Sequence, residues 1–556
     1  MRWPDELVET PDLQGAYPRL SEAQIQALSA CGERRSARRE DVLFAEGDPC
    51  VAFLVVLAGK VAEVKGYGFD DQVIGIHGAG RFLGDLNVLT GQASFITAVV
   101  AEDGEALAVP AEELRRLVTE DETLGDLVLR AYLIRRSMLI GLGAGFRIIG
   151  SRYSPDCRRL REFAARNRLP HRWIDLEEDT DVESLLQRMG LTPQETPFVI
   201  WRGEKVLRNP TNAELAKLIG LPAPAPRESG WDLLVVGAGP AGLAAAVYGA
   251  SEGLTTIVLD SVATGGQAGT SSRIENYLGF PAGLSGGELA ERAEIQARKF
   301  GAQFSIPAEA CTLQEQEGHH VVTVKEGAVI QTRALLIATG VRYRKLDVPD
   351  LERFEATSVY YAATAFEAQM CSRDPVVVVG GGNSAGQAAL FLAQHVASVR
   401  LLVRDDALTR NMSRYLAVEI EQHPGIQVML NTQVRRLVGE QTLEAVVAED
   451  NVTGERFTLE ARAMFVFIGA EPYSRWLADE VALDSRGYIL TGLDAARSGR
   501  KGVPDSAGRP FPLETSRAGV FAAGDVRNGS IKRVASAVGE GAMAVRLVHE
   551  HLQLRG

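Results

Sequence analysis

The chain has 556 residues, 46% of them apolar and 24% charged, which excludes a single small module or extensive disorder and predicts three or four domains, each with its own core. Its 59 Lys and Arg against 72 Asp and Glu leave a net charge of −13, which repels phosphate backbones and anionic lipid, so neither nucleic acid nor membrane is expected as a partner. Five cysteines (Cys31, Cys50, Cys157, Cys311, Cys371), none in C-x-x-C spacing, argue against a disulfide scaffold and a zinc-thiolate site, and no metal is expected.

The N-terminus lacks a basic start followed by an apolar run, and the most apolar helical stretch, 127–143, is interrupted by Arg130, Arg135 and Arg136. Both features predict a cytoplasmic protein. Two seams divide the chain: the glycine cluster 141–145 and the alternating prolines of 221–226, which favour an extended spacer. The resulting blocks are 1–146, 147–222 and 230–556.

The first block predicts short strands at 41–44, 52–57, 61–65, 72–77, 93–101 and 106–109 between helices at 21–30 and 111–140, the pattern of a β-roll with trailing helices. The basic run Arg34, Arg35, Arg38, Arg39 reads as a solvated face. Phe44-x-Glu46-Gly47-Asp48, Gly59-x-Val61 and Phe82-Leu83-Gly84-Asp85-Leu86-x-x-Leu89-Thr90-Gly91 resemble the cyclic nucleotide-binding domain family. That resemblance implies a cyclic nucleotide held at Gly84, Asp85 and Leu86, the amides of a short helix taking the phosphate and the acid a ribose hydroxyl. Asp85 stands where the family has Glu, and 92–97 offers no Arg for the phosphate. A missing charge-assisted partner removes roughly 1.5–3 kcal/mol, which sets a domain used for dimerisation or docking against the ligand reading.

The second block predicts strand 146–150, helix 156–167, strand 171–175, helix 182–189, strands 198–201 and 205–207, and helix 212–219. With Thr196-Pro197 before its third strand, this order resembles the thioredoxin and glutaredoxin fold, which implies a cis-proline there. The family's redox motif reads Ser154-Pro155-Asp156-Cys157, with serine in place of the attacking cysteine. Cys157 remains a candidate thiol in a helix's first turn, against the reading of an inert thiol in a docking domain.

The third block carries two dinucleotide fingerprints. Asp232 to Val236 is an apolar strand that enters Gly237-x-Gly239-Pro240-Ala241-Gly242, followed by a small-residue helix and a strand ending in Asp260, 23 residues after Gly237. Strand, glycines, helix and acid in register predict a dinucleotide site whose acid meets a ribose. The second, from Pro375, has Gly380, Gly382, Asn383 and Ser384 and a later strand ending in Arg404, with Arg400 and Arg410 nearby. Arginine pairs with a 2′-phosphate that an acid repels, which predicts NADPH over NADH.

Over the whole block these motifs, with Gly265-Gly266-Gln267, Ile274-Glu275-Asn276-Tyr277-Leu278-Gly279-Phe280, Ala338-Thr339-Gly340, Tyr343 to Leu346, Phe467-Ile468-Gly469, Gly524-Asp525-Val526 and Lys532-Arg533-Val534, resemble the low-molecular-weight thioredoxin reductase family. The resemblance implies an FAD domain in two pieces, 230–341 and 469–556, around an NADPH domain, 342–468, and a homodimer. It places Gly265 to Gln267, Asn276 and Gly340 beside FAD, Asp525 on the ribityl chain and Lys532 to Val534 at the flavin's pyrimidine edge. Where the family carries its Cys-Ala-Thr-Cys redox centre, this chain has Ala362-Ala363-Thr364-Ala365, and alanine cannot attack a disulfide. Cys371, six residues beyond Ala365, is the second candidate thiol.

The expected architecture is therefore multidomain α/β: a β-roll, a thioredoxin-like domain and two Rossmann-like FAD and NADPH domains. The expected function is an FAD-dependent, NADPH-oxidising oxidoreductase without a certain catalytic dithiol. Its acceptor stays open among small molecules, ferredoxin or flavodoxin, and a thiol protein. The alternatives are a non-catalytic redox sensor and a disulfide reductase using Cys157 or Cys371. His319, His320, His549 and His551 read as surface histidines.

Overall fold

The computed structural model describes residues 6–555 except 13, 67–70, 179–185, 187–191, 193–194, 203–204, 222–229, 272, 275, 326, 356, 364, 441 and 499–509. The expected helix 182–189, apart from Leu186, and most of the proline-rich seam lie outside the described residues, as does Thr364.

The first block is an antiparallel sheet in the order Glu33–Ala37, Thr97–Pro110, Ala52–Lys65, Gln72–His77, with Val42–Phe44 also on Thr97–Pro110. Expected strands 52–57 and 61–65 are one 14-residue strand, and 106–109 joins its predecessor likewise. The glycine between the first pair marks a bulge rather than a turn: the register shifts around Ala58 and Lys60, beside Gly59. The basic run contributes an unexpected edge strand, Glu33–Ala37, whose first four residues are exposed. The single helix expected over 111–140 is two, Ala111–Glu120 and Glu122–Gly141. Asp121 breaks it by capping the second, accepting from the Thr123 and Leu124 amides.

In the second block the sheet order is His171–Asp175, Phe146–Gly150, Phe198–Trp201, Lys205–Arg208; the first pair is parallel and the others antiparallel. Helix Pro155–Arg166, capped by Ser154, buries Leu160, Phe163 and Ala164 against Phe146, Ile148 and Val199.

The third block contains two sheets built on parallel strands with helices packed on them; the first continues through the antiparallel strands His319–Val324 and Ala310–Gln316, and a small antiparallel sheet, Thr432–Val438, Ala445–Asp450, Arg456–Glu460, accompanies the second. In the first, Gln303–Ser305, Thr256–Leu259, Trp231–Val236 and Val329–Ile337 run parallel, and Val520–Ala522 returns to pair with Val329–Ile337. The second runs Val359–Tyr360, Ala463–Val466, Pro375–Val379, Ser398–Leu402, Ile426–Met429, all parallel. Their central strands Trp231–Val236, Thr256–Leu259 and Pro375–Val379 are buried almost throughout on both faces, as strands inside a parallel sheet are. The chain crosses between the two units through one antiparallel pair, Val341–Tyr343 with Ala470–Pro472.

The histidine expectation is corrected here. His320 is 1% exposed and His551 5%, because the helix Val534–Arg555 lays one face on the first sheet; Phe521 meets His551 edge-on. His551 Nδ1 lies 3.9 Å from Glu514, and His549 Nε2 lies 3.1 Å from Glu252.

Candidate functional site

The apolar strand Trp231–Val236 ends in Gly237, which turns at φ 108°, where a Cβ would overlap the Ala338 carbonyl oxygen. Pro240 then opens helix Pro240–Ser251, its missing N–H costing nothing at that position. Gly239 faces Gly266 across a gap free of side chains. Helix N-terminus and bare backbone together make a cradle into which a pyrophosphate fits. Asp260 lies against it, its Oδ2 accepting the Ala238 amide at 2.9 Å and its Oδ1 those of Val262 and Ala263. Gly265 donates to the Ala238 carbonyl at 2.8 Å, and the Gln267 side chain donates to the Val341 carbonyl.

Gly524 closes the cradle next to Ala241 and is fixed by its amide on Glu540, 2.7 Å. Beside it, burial pushes the Asp525 carboxyl up, against the pull of Lys532. Gly340 accepts from the Tyr473 amide at 3.0 Å. The structure thus brings Gly237 to Gly242, Asp260, Gly265 to Gln267, Gly524 and Asp525 together. Asn276 sits on an exposed turn, Lys532 donates to the Tyr488 hydroxyl at 2.9 Å, and Arg533 is exposed before Val534 opens the last helix. A side-chain-free cleft at a helix N-terminus, flanked by two carboxylates, fits the diphosphate and hydroxyls of FAD.

The second cradle repeats the first. At Gly380, φ 146°, a Cβ would overlap the Phe467 carbonyl oxygen, and Gly382 caps helix Asn383–Ala393. Asn383 exchanges hydrogen bonds with Ser413, and Ser384 is exposed at the helix start. These groups fit the diphosphate of a nicotinamide dinucleotide. The arginines are less converged than the sequence suggests: Arg404 is exposed, Arg410 pairs with Asp406 at 2.5 Å, and Arg400 donates to the Glu460 carbonyl at 2.7 Å. Asp405, one residue past the expected strand end, was missed; its Oδ2 stands 3.7 Å from a Cβ placed on Gly381.

The segment aligned with the redox centre follows Val359–Tyr360. Ala362 lines a cavity of about 290 Å³ where the first block (Thr90, Arg136), the second (Arg166, Arg168) and the first unit's helix Gly286–Lys299 (Glu291) meet. Nearby, Tyr343 and Tyr361 stack at 6.3 Å, and the Tyr361 hydroxyl donates to Glu355. Neither candidate thiol is available. Cys371 is 3% exposed, and burial, with Asp374 adding, pushes its thiol up to about 12; it shares a hydrogen bond with the Tyr360 hydroxyl. Cys157 is 1% exposed in the first turn of its helix, and burial raises its thiol above the usual value despite Ser154 and Arg161. The Thr196-Pro197 bond is cis, as expected.

Helix Pro155–Arg166 touches both nucleotide units. Near its start, Arg158 donates to the Glu355 carbonyl at 2.7 Å and lies 4.3 Å over the Tyr360 ring. At its end, Arg166 donates to the Gly266 carbonyl at 3.3 Å and Asn167 to that of Val262 at 2.9 Å.

At the Gly84–Leu86 turn of the first block, Gly84 donates to the buried Glu63, which also meets His77 at 3.1 Å. Asp85 is buried against Arg136, 2.9 Å away. Arg136 also donates to Asn87, to Gln92 and to the Arg168 carbonyl. The loop therefore holds an arginine, delivered from the helix Glu122–Gly141 rather than from 92–97.

Two glycine cradles, each with a strand-end carboxylate and one inserted within the unit of the other, define a flavoprotein oxidoreductase that works with a nicotinamide dinucleotide. Comparison with known proteins agrees: residues 231–541 match the model of the pyridine nucleotide-disulphide oxidoreductases, and the chain belongs to that family. Residues 34–121 match the cyclic nucleotide-binding domain. A thioredoxin reductase of Treponema pallidum is 34% identical over 58% of this chain and 98% of its own length. A 34.2 kDa protein from the rubredoxin operon of Clostridium pasteurianum is 32% identical over 58% and 97%. Among solved structures, thioredoxin reductases of Lactococcus lactis, in a form designated FR, and T. acidophilum each reach a TM-score of 0.51, at 25% and 29% identity, over 58% of this chain and 98% of theirs. The protein is an FAD- and NADPH-dependent oxidoreductase of thioredoxin reductase type.

Proposed function

We propose that the protein oxidises NADPH and passes the electrons to an acceptor other than a protein disulfide, with its N-terminal blocks serving as docked regulatory or structural modules. The observation that carries this reading is the redox-centre segment: Ala362 lines the cavity between the blocks where the resemblance calls for a cysteine, and both candidate cysteines are buried with raised thiol values. The block 147–222 is on this reading a thioredoxin-like domain that docks rather than reacts. Its sheet order and its first-turn cysteine support the fold, and Ser154 in the attacking position removes the chemistry.

FAD supplies the two-electron chemistry that connects a nicotinamide with an acceptor. The chain's own residues do the holding. Gly237 to Gly242 and the N-terminus of Pro240–Ser251 take the diphosphate, Asp260 a ribose, and Asp525 the ribityl hydroxyls, a task for which a carboxyl raised by burial gains from new donors. Gly380 to Ser384 hold the second diphosphate. The Gly265 to Gln267 loop, pinned through Gln267 to Val341 and through Arg166 to the second block, keeps the flavin cradle fixed relative to the linking strands.

An anaerobic titration with NADPH, followed through the flavin's visible band, tests the reading when coupled to acceptors: oxygen, a quinone, a ferredoxin, and an aromatic disulfide. Bleaching by NADPH and turnover with one of the first three is expected. Cys157→Ala with Cys371→Ala leaves that turnover intact. Disulfide reduction that matches the other acceptors and disappears in the double variant would overturn the proposal.

A further inference from the structure

The two glycine cradles differ most in sequence at their strand-end residue, Asp260 in one and Arg404 in the other, yet in both a carboxylate comes close to the second residue of the loop. In the flavin unit Asp260, 23 residues after Gly237, turns its carboxylate to Ala238, the second residue of the glycine loop. In the other unit strand Ser398–Leu402 ends early, and the chain continues through Val403 and Arg404 to Asp405, 25 residues after Gly380. Its Oδ2 lies 3.7 Å from a Cβ placed on Gly381, again the second residue of the loop. Asn411 Nδ2 donates to that oxygen at 2.8 Å, and the Asn431 amide fixes the Asp405 carbonyl at 3.0 Å, so the carboxylate is held in place.

The surrounding charge does not override it. Arg404 is exposed, Arg410 is tied to Asp406 at 2.5 Å, and Arg400 is engaged by the Glu460 carbonyl at 2.7 Å. A carboxylate at this place accepts from the 2′-hydroxyl of an adenosine ribose and repels a 2′-phosphate. A carboxylate holding one amide donor retains acceptor capacity for a ribose hydroxyl.

We infer that Asp405, rather than Arg404, sets the nucleotide choice of this site, and that the site takes NADH alongside NADPH. The inference rests on reading the second cradle as the nicotinamide site.

The test is calorimetric binding of NAD⁺ and NADP⁺, the unreactive oxidised forms, to the full-length flavoprotein. The wild type is expected to bind the two within about tenfold of each other. Asp405→Asn, and independently Asp405→Ser, shift the ratio at least about fivefold toward NADP⁺. Asp405 is only half-buried, and a thermal melt confirms that each variant is folded. A wild-type preference for NADP⁺ beyond tenfold, or a ratio unmoved in both folded variants, overturns the inference and leaves the nicotinamide site standing. Binding of neither nucleotide overturns the nicotinamide site and the inference together.

Discussion

Arg136 is 2% exposed, and its guanidinium is satisfied by Asp85, Asn87, Gln92 and the Arg168 carbonyl. Asp85 is 4% exposed and draws its charged partner from 51 residues away. Removing one member of such a pair leaves the other charge buried, at a cost of roughly 3–5 kcal/mol. Arg136→Ala is expected to destabilise the protein by about that much in urea unfolding, and adding Asp85→Ala recovers part of the loss, because the stranded carboxylate is then gone. Additive losses in the double variant would show that the pair does not couple. This residue also shows where sequence reading stops. Asp85 was legible because a turn motif is local, whereas Arg136 looked only like a charge interrupting an apolar helix. The glycine cradles were legible for the same local reason. Asp405 was missed because the strand ends earlier than its apolar run, so the acid, one residue further on, reaches the loop.

At the scale of elements, the helix Pro155–Arg166 does more than support its own sheet. One end engages the unit of the second glycine cradle through Arg158 and the other the unit of the first through Arg166 and Asn167. Its sequence predicted the helix but neither its Ser154 cap nor these contacts, since surface arginines carry no mark of their partners. The Arg158 contact combines a cation over an aromatic face with a hydrogen bond to a carbonyl, together roughly 1–2 kcal/mol. Arg158→Ala should lower stability by that amount. Arg158→Lys, which keeps the charge but loses the planar stack, should recover less than half. Denaturant unfolding monitored by flavin release distinguishes this from an inert surface change, for which both variants would match the wild type. The longer helical run at 111–140 erred in the opposite direction: its periodicity continued through Asp121, but the side chain there caps a new helix.

Across the whole molecule the blocks meet at Arg168, which sits at φ 50° just past the end of that helix. Its Nε lies 3.0 Å from Glu291 of the flavin unit, its Nη2 donates to Ser137 of the first block at 3.2 Å, and its carbonyl accepts from Arg136. Burial raises the Glu291 carboxyl above its ordinary value, with Arg168 and then Arg136 pulling it down. A carboxyl whose folded value is raised holds its proton in the native state over a pH range where the unfolded chain has released it, so its contribution to stability falls as pH rises through that range. Taking away Arg168 removes the largest opposing pull and raises the carboxyl further. The loss caused by Arg168→Ala is therefore expected to be greater at pH 8 than at pH 5, because the further-raised carboxyl contributes less to stability as pH rises. With the arginine about a third exposed, the cost at pH 8 is expected to be about 1–3 kcal/mol, or a few degrees in melting temperature. Scanning calorimetry at both values reads this directly. It also reports whether the first block and the flavin unit still unfold in one transition, as units joined through a shared ion pair should, or separate into two once it is gone. An equal loss at pH 5 and pH 8 would mean that Arg168 stabilises the molecule without coupling its blocks through Glu291.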